Sequence, residues 1–190
     1  MARGVVTIVS GLPRSGTSMM MKMLEVGGIP VLIDGIREAD PDNPRGYYEF
    51  ELVKQIETDD TWLERAQGSA VKMISALLRH LPSDYQYKVV FMRRRMEEIL
   101  ASQRKMLIRR GEPADRISDE QMAALFQKHL DQVEAWLNDQ PNIDVLYVSF
   151  NDVVAEPLES IDAINDFLGG HLEVDAMVEV VDPMLYRQRR

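Results

Sequence analysis

The sequence predicts an α/β fold, a three-layer parallel sheet of four to five strands between flanking helices. Three observations carry this expectation. Short apolar runs near 5–10, 70–74, 87–92 and 144–149 read as strands. Helical patterns alternate with them near 17–26, 48–58, 96–110, 118–139 and 157–168. The first strand also runs directly into a glycine-bracketed loop and a helix start, Gly11-Leu12-Pro13-Arg14-Ser15-Gly16-Thr17-Ser18.

Val5-Val6-Thr7-Ile8-Val9 is a short, nearly unbroken apolar run, the pattern of a strand buried on both faces. In the loop that follows, inward-turned backbone N–H groups and the positive end of a helix together make a phosphate cradle. Gly11 and Gly16 have the spacing of the nucleotide-triphosphatase loop G-x-x-x-x-G-K-[ST], so the sheet is expected to be of P-loop type. The lysine of that motif is missing. Thr17 occupies its place, and Arg14 brings the cation inside the loop.

Met19-Met20-Met21-Lys22-Met23-Leu24 continues as helix, its methionines serving as adaptable core packing, and Gly27-Gly28 ends it. From 29 to 68 the pattern loosens, with Pro30, Pro41, Pro44 and many acids. This segment reads as a cap over the switch point of the sheet, where such folds bind ligands. Tyr87–Met92 reads as a buried strand, Arg93-Arg94-Arg95 as its end, and Met96 onward as helix. Ser118-Asp119-Glu120-Gln121 is a capping box. Behind it, Met122, Leu125, Phe126, His129, Leu130, Val133, Trp136 and Leu137 form one helical stripe. His129 is read there as a core or edge residue.

The 190 residues make one domain, 1–190, and 45% hydrophobic with 28% charged residues is ordinary for a globular protein. A net charge of −9 argues against a general nucleic-acid binder. The cations gather at Arg14, at Arg93–Arg95 and from Arg104 to Arg110, a local basic site suited to a small anionic ligand. The absence of cysteine excludes disulfides and thiolate metal sites. His80, His129 and His171 lack metal-ligand spacing, so no metal is expected. No run has the length of a membrane span, and the N-terminal run is too short for a signal peptide. These features predict a cytoplasmic protein that binds neither membrane nor nucleic acid.

Pro13-Arg14-Ser15-Gly16-Thr17-Ser18 resembles the loop P-[KR]-[ST]-G-[ST]-[ST] of sulfotransferases that use 3′-phosphoadenosine 5′-phosphosulfate (PAPS). Arg94 and Ser102, eight residues apart, match the strand–arginine–helix unit by which that family holds the 3′-phosphate. Val145–Leu158 resembles the family's late strand and the turn after it, and Ile161–Leu168 with Gly169-Gly170 its next helix ending. Asp40-Pro41-Asp42-Asn43-Pro44-Arg45-Gly46-Tyr47-Tyr48-Glu49 resembles the D-x-x-N-P-x-G-Y-x-E segment of short bacterial sulfotransferase-like proteins. The resemblance spans most of the chain.

It implies in-line transfer of a sulfuryl group from PAPS, as co-substrate, to a hydroxyl or amine of a small-molecule acceptor, with no metal. Gly11, Pro13, Arg14, Ser15, Gly16, Thr17, Ser18, Arg94 and Ser102 are the implied PAPS-binding residues. Arg14 is also placed by the bridging oxygen, and Lys72 at the leaving phosphate or the acceptor. The cytosolic animal enzymes carry Lys-x-His after the second strand; here Lys72 is kept, but Ile74 stands in the histidine's place. His80, six residues on, reads as an exposed helix end. Other branches use a glutamate after the loop helix, which makes Glu49 the first candidate base and Glu38 the second. Glu49 fits equally well as a helix-start acid favoured by the dipole. Two other functions stay open. One is an ATP- and magnesium-dependent small-molecule kinase, which Thr17 and the Arg94–Ser102 pair oppose. The other is a non-catalytic nucleotide-binding protein of the same fold, which Ile74 permits.

Overall fold

A computed structural model describes residues 4–36, 46–113 and 117–181. The elements are β1 (Val5–Gly11), α1 (Thr17–Val26), α2 (Leu63–Ala66), β2 (Ala70–Lys72), β3 (Gln86–Arg93), α3 (Met96–Arg109), α4 (Asp119–Asn138), β4 (Ile143–Ser149), α5 (Phe150–Ala155), α6 (Pro157–Leu168) and α7 (Val174–Val180). The 3₁₀ turns Glu51–Gln55 and Ser75–His80 complete them. All four expected strands form, in the order β2-β1-β3-β4 and parallel throughout.

Register decides where chemistry can occur. Gly11 pairs with Met92, and Met92 with Val148, so β1, β3 and β4 end level with one another. From β1 the chain crosses to β2 on one side, and β3 then returns on the other. The switch point therefore lies at the carboxyl end of β1, where the glycine loop begins.

Helices and turns cover both faces, as a parallel sheet requires. On one face Val6, Ile8, Val71, Val89 and Phe91 pack with Phe50, Trp62, Leu63, Leu78 and Leu137. On the other, Val9, Val90 and Met92 meet Met20, Met21, Met23, Leu24, Ile161, Ile164 and Met177. The methionines at 20, 21 and 23 are wholly buried, as their reading as core packing required.

One element differs in kind. The helix expected over 48–58 is instead irregular chain, with Tyr48 at φ 53°, followed by the 3₁₀ turn Glu51–Gln55. Phe50, Val53 and Ile56 are buried. Their three-residue spacing is the 3₁₀ repeat, in which i and i+3 eclipse. Strand β2 stops at Lys72, although the Met73 N–H still donates to Val9 O at 3.0 Å. Its outer edge is covered: Ala70 exchanges backbone hydrogen bonds with Pro30 and Leu32, which removes an open edge. The capping box forms as expected, Ser118 Oγ accepting from the Gln121 N–H. Among the described residues, no helix is long and apolar enough to cross a membrane.

Candidate active site

The loop is built by close approach. At Gly11 (φ 144°) a Cβ would lie 2.5 Å from Met92 O and 2.6 Å from Ser15 Oγ. At Gly16 (φ 102°) it would lie 2.4 Å from the Phe150 ring. Only glycine fits either place. Arg14 adopts φ 72°, a left-handed conformation costing about 1–3 kcal/mol in a non-glycine residue and concentrated at functional sites. Gly16 flanks α1 with no side-chain cap, and Thr17 and Ser18 open the helix. Its first N–H groups have no intrahelical acceptor. Ser15 is 0% exposed, and its Oγ has no hydrogen-bond partner among the described residues. Such a buried hydroxyl carries a free-energy cost unless something else meets it. Pro13 stays exposed at the loop's crest.

The two phosphate units proposed from sequence meet. Arg14 Nε donates to Ser102 Oγ at 2.9 Å, and Arg94 Nη1 donates to the Arg14 carbonyl at 3.1 Å. Arg94 is held firmly. Its Nε lies 2.9 Å from Glu98 Oε2, with side chains only 9% and 2% exposed. Asn151 Nδ2 donates to Glu98 Oε1 at 2.9 Å, while Asn151 Oδ1 accepts from the Arg95 N–H at 3.2 Å. The Phe150 ring lies under the guanidinium, 4.3 Å from centroid to Cζ. Phe150 thus packs against Gly16 on one side and Arg94 on the other, joining the ends of β1, β3 and β4. Glu98, Phe150 and Asn151 were not expected as site residues. Glu98, four residues beyond Arg94 on α3, carried a helical-pair signal; the other two carried none.

A third cluster joins Glu49 and Lys72. Lys72 Nζ is 3.7 Å from Glu49 Oε1 and 3.4 Å from Ser18 Oγ, and it also donates to the Tyr47 carbonyl. Ser18 Oγ donates to that carbonyl at 3.2 Å. The Lys72 and Glu49 side chains are 11% and 21% exposed. Glu49 therefore does not begin a helix. It lies in irregular chain just before the 3₁₀ turn, brought to Lys72 at the end of β2. Glu38 and residues 40–45 of the quoted motif lie outside the described residues.

Beside the loop opens a cavity of about 260 Å³, lined by Leu12, Arg93, Arg94, Ile99, Leu130 and Glu134 among others. Arg93 closes one wall, its Nη2 2.6 Å from Glu134 Oε1 and its guanidinium stacked on Tyr147. The outer cations Arg104, Arg109 and Arg110 are exposed on and just beyond α3, with Arg104 3.5 Å from Asp119. Ile74 is 48% exposed. His129 comes from α4 to Ser75, Oγ to Nε2 2.8 Å. Burial, then the charge of Arg79, hold its pKa below the ordinary value.

These features define an α/β protein with a glycine-bracketed loop at its switch point and a partly buried arginine pair joined to it. The sulfotransferase family model matches residues 46–173, more than half of the chain, and the chain belongs to that family: it is a transferase. The glycine loop precedes the matched segment. No curated protein sequence matches the chain. Among solved structures, a mouse sulfotransferase complexed with PAP aligns with TM-score 0.62 and 16% identity, over 100% of this chain and 69% of that one. A sulfotransferase from Mycobacterium tuberculosis gives 0.60 and 17%, over 95% and 71%. The sulfotransferase domain of a Synechococcus olefin synthase gives 0.59 and 12%, over 96% and 86%. At these identities the likeness speaks for the fold.

Proposed function

We propose that this sulfotransferase draws its sulfuryl group from PAPS and passes it to a hydroxyl or amine of a small acceptor. The observation that carries this reading is the Arg14–Ser102–Arg94 constellation. It places two guanidiniums and a hydroxyl beside a loop with a buried, unmet serine hydroxyl. Such a set fits a ligand with two separate anionic groups, because guanidiniums bind phosphate oxygens in pairs. The glycines allow a phosphate to approach backbone N–H groups.

PAPS supplies a sulfuryl group attached to a phosphate that leaves readily. In this reading, the loop from Gly11 to Ser18 holds the 5′ side, Arg94 and Ser102 hold the 3′-phosphate, and no metal takes part. Arg14 stabilises charge on the leaving oxygen, and Lys72 supports it from the other side. Glu49 takes the acceptor's proton on its carboxylate as the new bond forms. The cavity beside Leu12 has room for a compact, partly apolar acceptor body. The segment 29–68 acts as a cap, reaching Ser18 of the loop through Tyr47 and Lys72 through Glu49, and the enzyme works in the cytoplasm. A kinase would leave the Arg94–Ser102 pair without a ligand group.

The test is PAP release from PAPS with p-nitrophenol as acceptor. Arg14→Ala is expected to lower the rate by roughly 10²–10³, and Glu49→Gln by roughly 10², both melting close to wild type. Release at the wild-type rate by Arg14→Ala would overturn Arg14's role. No release by the wild-type protein, with this acceptor or water, would overturn the donor assignment.

A further inference from the structure

Tyr48 is the second described non-glycine residue with positive φ, at 53°. An aromatic side chain adopts that conformation only when its surroundings over-determine it. Here they do. The Tyr48 hydroxyl donates to Glu25 Oε2 at 2.6 Å, and Lys22 Nζ holds the same oxygen at 2.8 Å. Both partners stand on α1, the helix that begins at the phosphate loop. Burial, then the Glu25 carboxylate, push the phenol well above its ordinary pKa, so it remains a donor.

The residues on either side show what the turn accomplishes. The Tyr47 carbonyl accepts from both Ser18 and Lys72, and the Glu49 carboxylate faces the same ammonium. A left-handed residue between them turns both acceptors toward Lys72, while Tyr47 and Phe50 stay buried. Without it, the chain would continue extended and carry the carbonyl and the carboxylate apart.

We propose that Tyr48 is a positioning residue for sulfuryl transfer: anchored on Glu25, it holds Glu49 and the Tyr47 carbonyl on Lys72. The inference rests on the transfer reading for its catalytic consequence, but the anchoring can be measured without it. Tyr48→Phe removes only the hydroxyl, and Glu25→Gln only the charge that receives it.

The first readout is the acetylation rate of Lys72 by acetic anhydride, followed by mass spectrometry in the free protein. Both variants are expected to raise it roughly tenfold, the scale of losing a hydrogen bond to a charged group. The second is PAP release from PAPS. Tyr48→Phe is expected to lower kcat by roughly the same factor and leave the KM for PAPS unchanged. That loss should vanish in a Glu49→Gln background, because coupled residues do not add.

Unchanged Lys72 acetylation in both variants overturns the anchor. An equal kcat loss with and without Glu49 overturns the positioning role, since a merely structural defect would persist. Should the wild-type protein release no PAP, the transfer reading falls, and the acetylation rates still decide whether Tyr48 holds the cluster.

Discussion

Removing Glu98 should unsettle this protein far more than removing any surface acid. Its carboxylate is 2% exposed and carries two jobs, meeting Arg94 Nε at 2.9 Å and accepting from Asn151 Nδ2 at 2.9 Å. In Glu98→Ala the Arg94 guanidinium, 9% exposed in the intact pair and lying over Phe150, loses the Glu98 counter-charge. Breaking a buried pair by deleting one partner costs about 3–5 kcal/mol. For a chain of this length that lowers the melting temperature by roughly 6–20 °C. A control is Glu51→Ala, whose partner Lys54 is 62% exposed; it should change stability by less than about 1 kcal/mol. The double variant Arg94→Met/Glu98→Leu should recover most of the loss, because apolar replacement of a buried pair is often neutral. Adenosine 3′,5′-bisphosphate should stabilise Glu98→Ala, by giving Arg94 a new counter-charge, more than it stabilises the double variant. Urea denaturation and calorimetric melting measure all four proteins. Glu98→Ala within about 1 kcal/mol of wild type would show that water screens Arg94, refuting the picture of a dry, pre-set phosphate cation.

Gly16→Ala should cost about 2–5 kcal/mol in urea denaturation, from left-handed strain and contact with the Phe150 ring; a loss under about 1 kcal/mol would mean that the ring moves aside freely. His129 has a folded pKa below 6.5, so the unfolded chain takes up its proton first as pH falls. Its contribution is therefore complete above pH 6.5 and lost as pH falls toward the folded value. His129→Gln should flatten stability between pH 7 and 5, and an unaltered slope there would contradict this. Glu25 has a lowered pKa, through its hydrogen bonds to Lys22 and then Tyr48, so its stabilisation is present above pH 4.5 and lost below it. Glu25→Gln should weaken the acid sensitivity of the wild-type protein near pH 4, read from melting temperatures.

Much of this was legible in the chain. Short apolar runs marked the four strands, most clearly β1 and β3, whose burial on both faces leaves little alternation. Gly11 and Gly16 disclosed the loop because a backbone packed this closely on Met92 and Phe150 tolerates no side chain. Arg94 and Ser102, eight residues apart between the end of β3 and α3, were legible through their resemblance to the sulfotransferase unit. Tyr48 was not legible. Two adjacent tyrosines give no sign of a positive φ, which here depends on Glu25, twenty-odd residues earlier. Phe150 packs between Gly16 and Arg94 only once three strand ends lie level. Serine 75 and His129, far apart in sequence, meet only because α4 docks on the turn after β2. Short elements such as α2 and α7 escaped because one or two turns accumulate little periodic signal.

In the proposed reading Arg94 and Ser102 bind a second phosphate on the nucleotide, Ser102 itself being held by Arg14 at 2.9 Å. Titration calorimetry of the wild-type protein with adenosine 3′,5′-bisphosphate and with 5′-AMP tests it most directly. Charge-assisted hydrogen bonds to the extra phosphate are expected to make the bisphosphate bind roughly 10²-fold tighter or more. That preference should shrink to about tenfold or less in Arg94→Ala. Equal affinities for the two nucleotides in the wild-type protein would contradict the account.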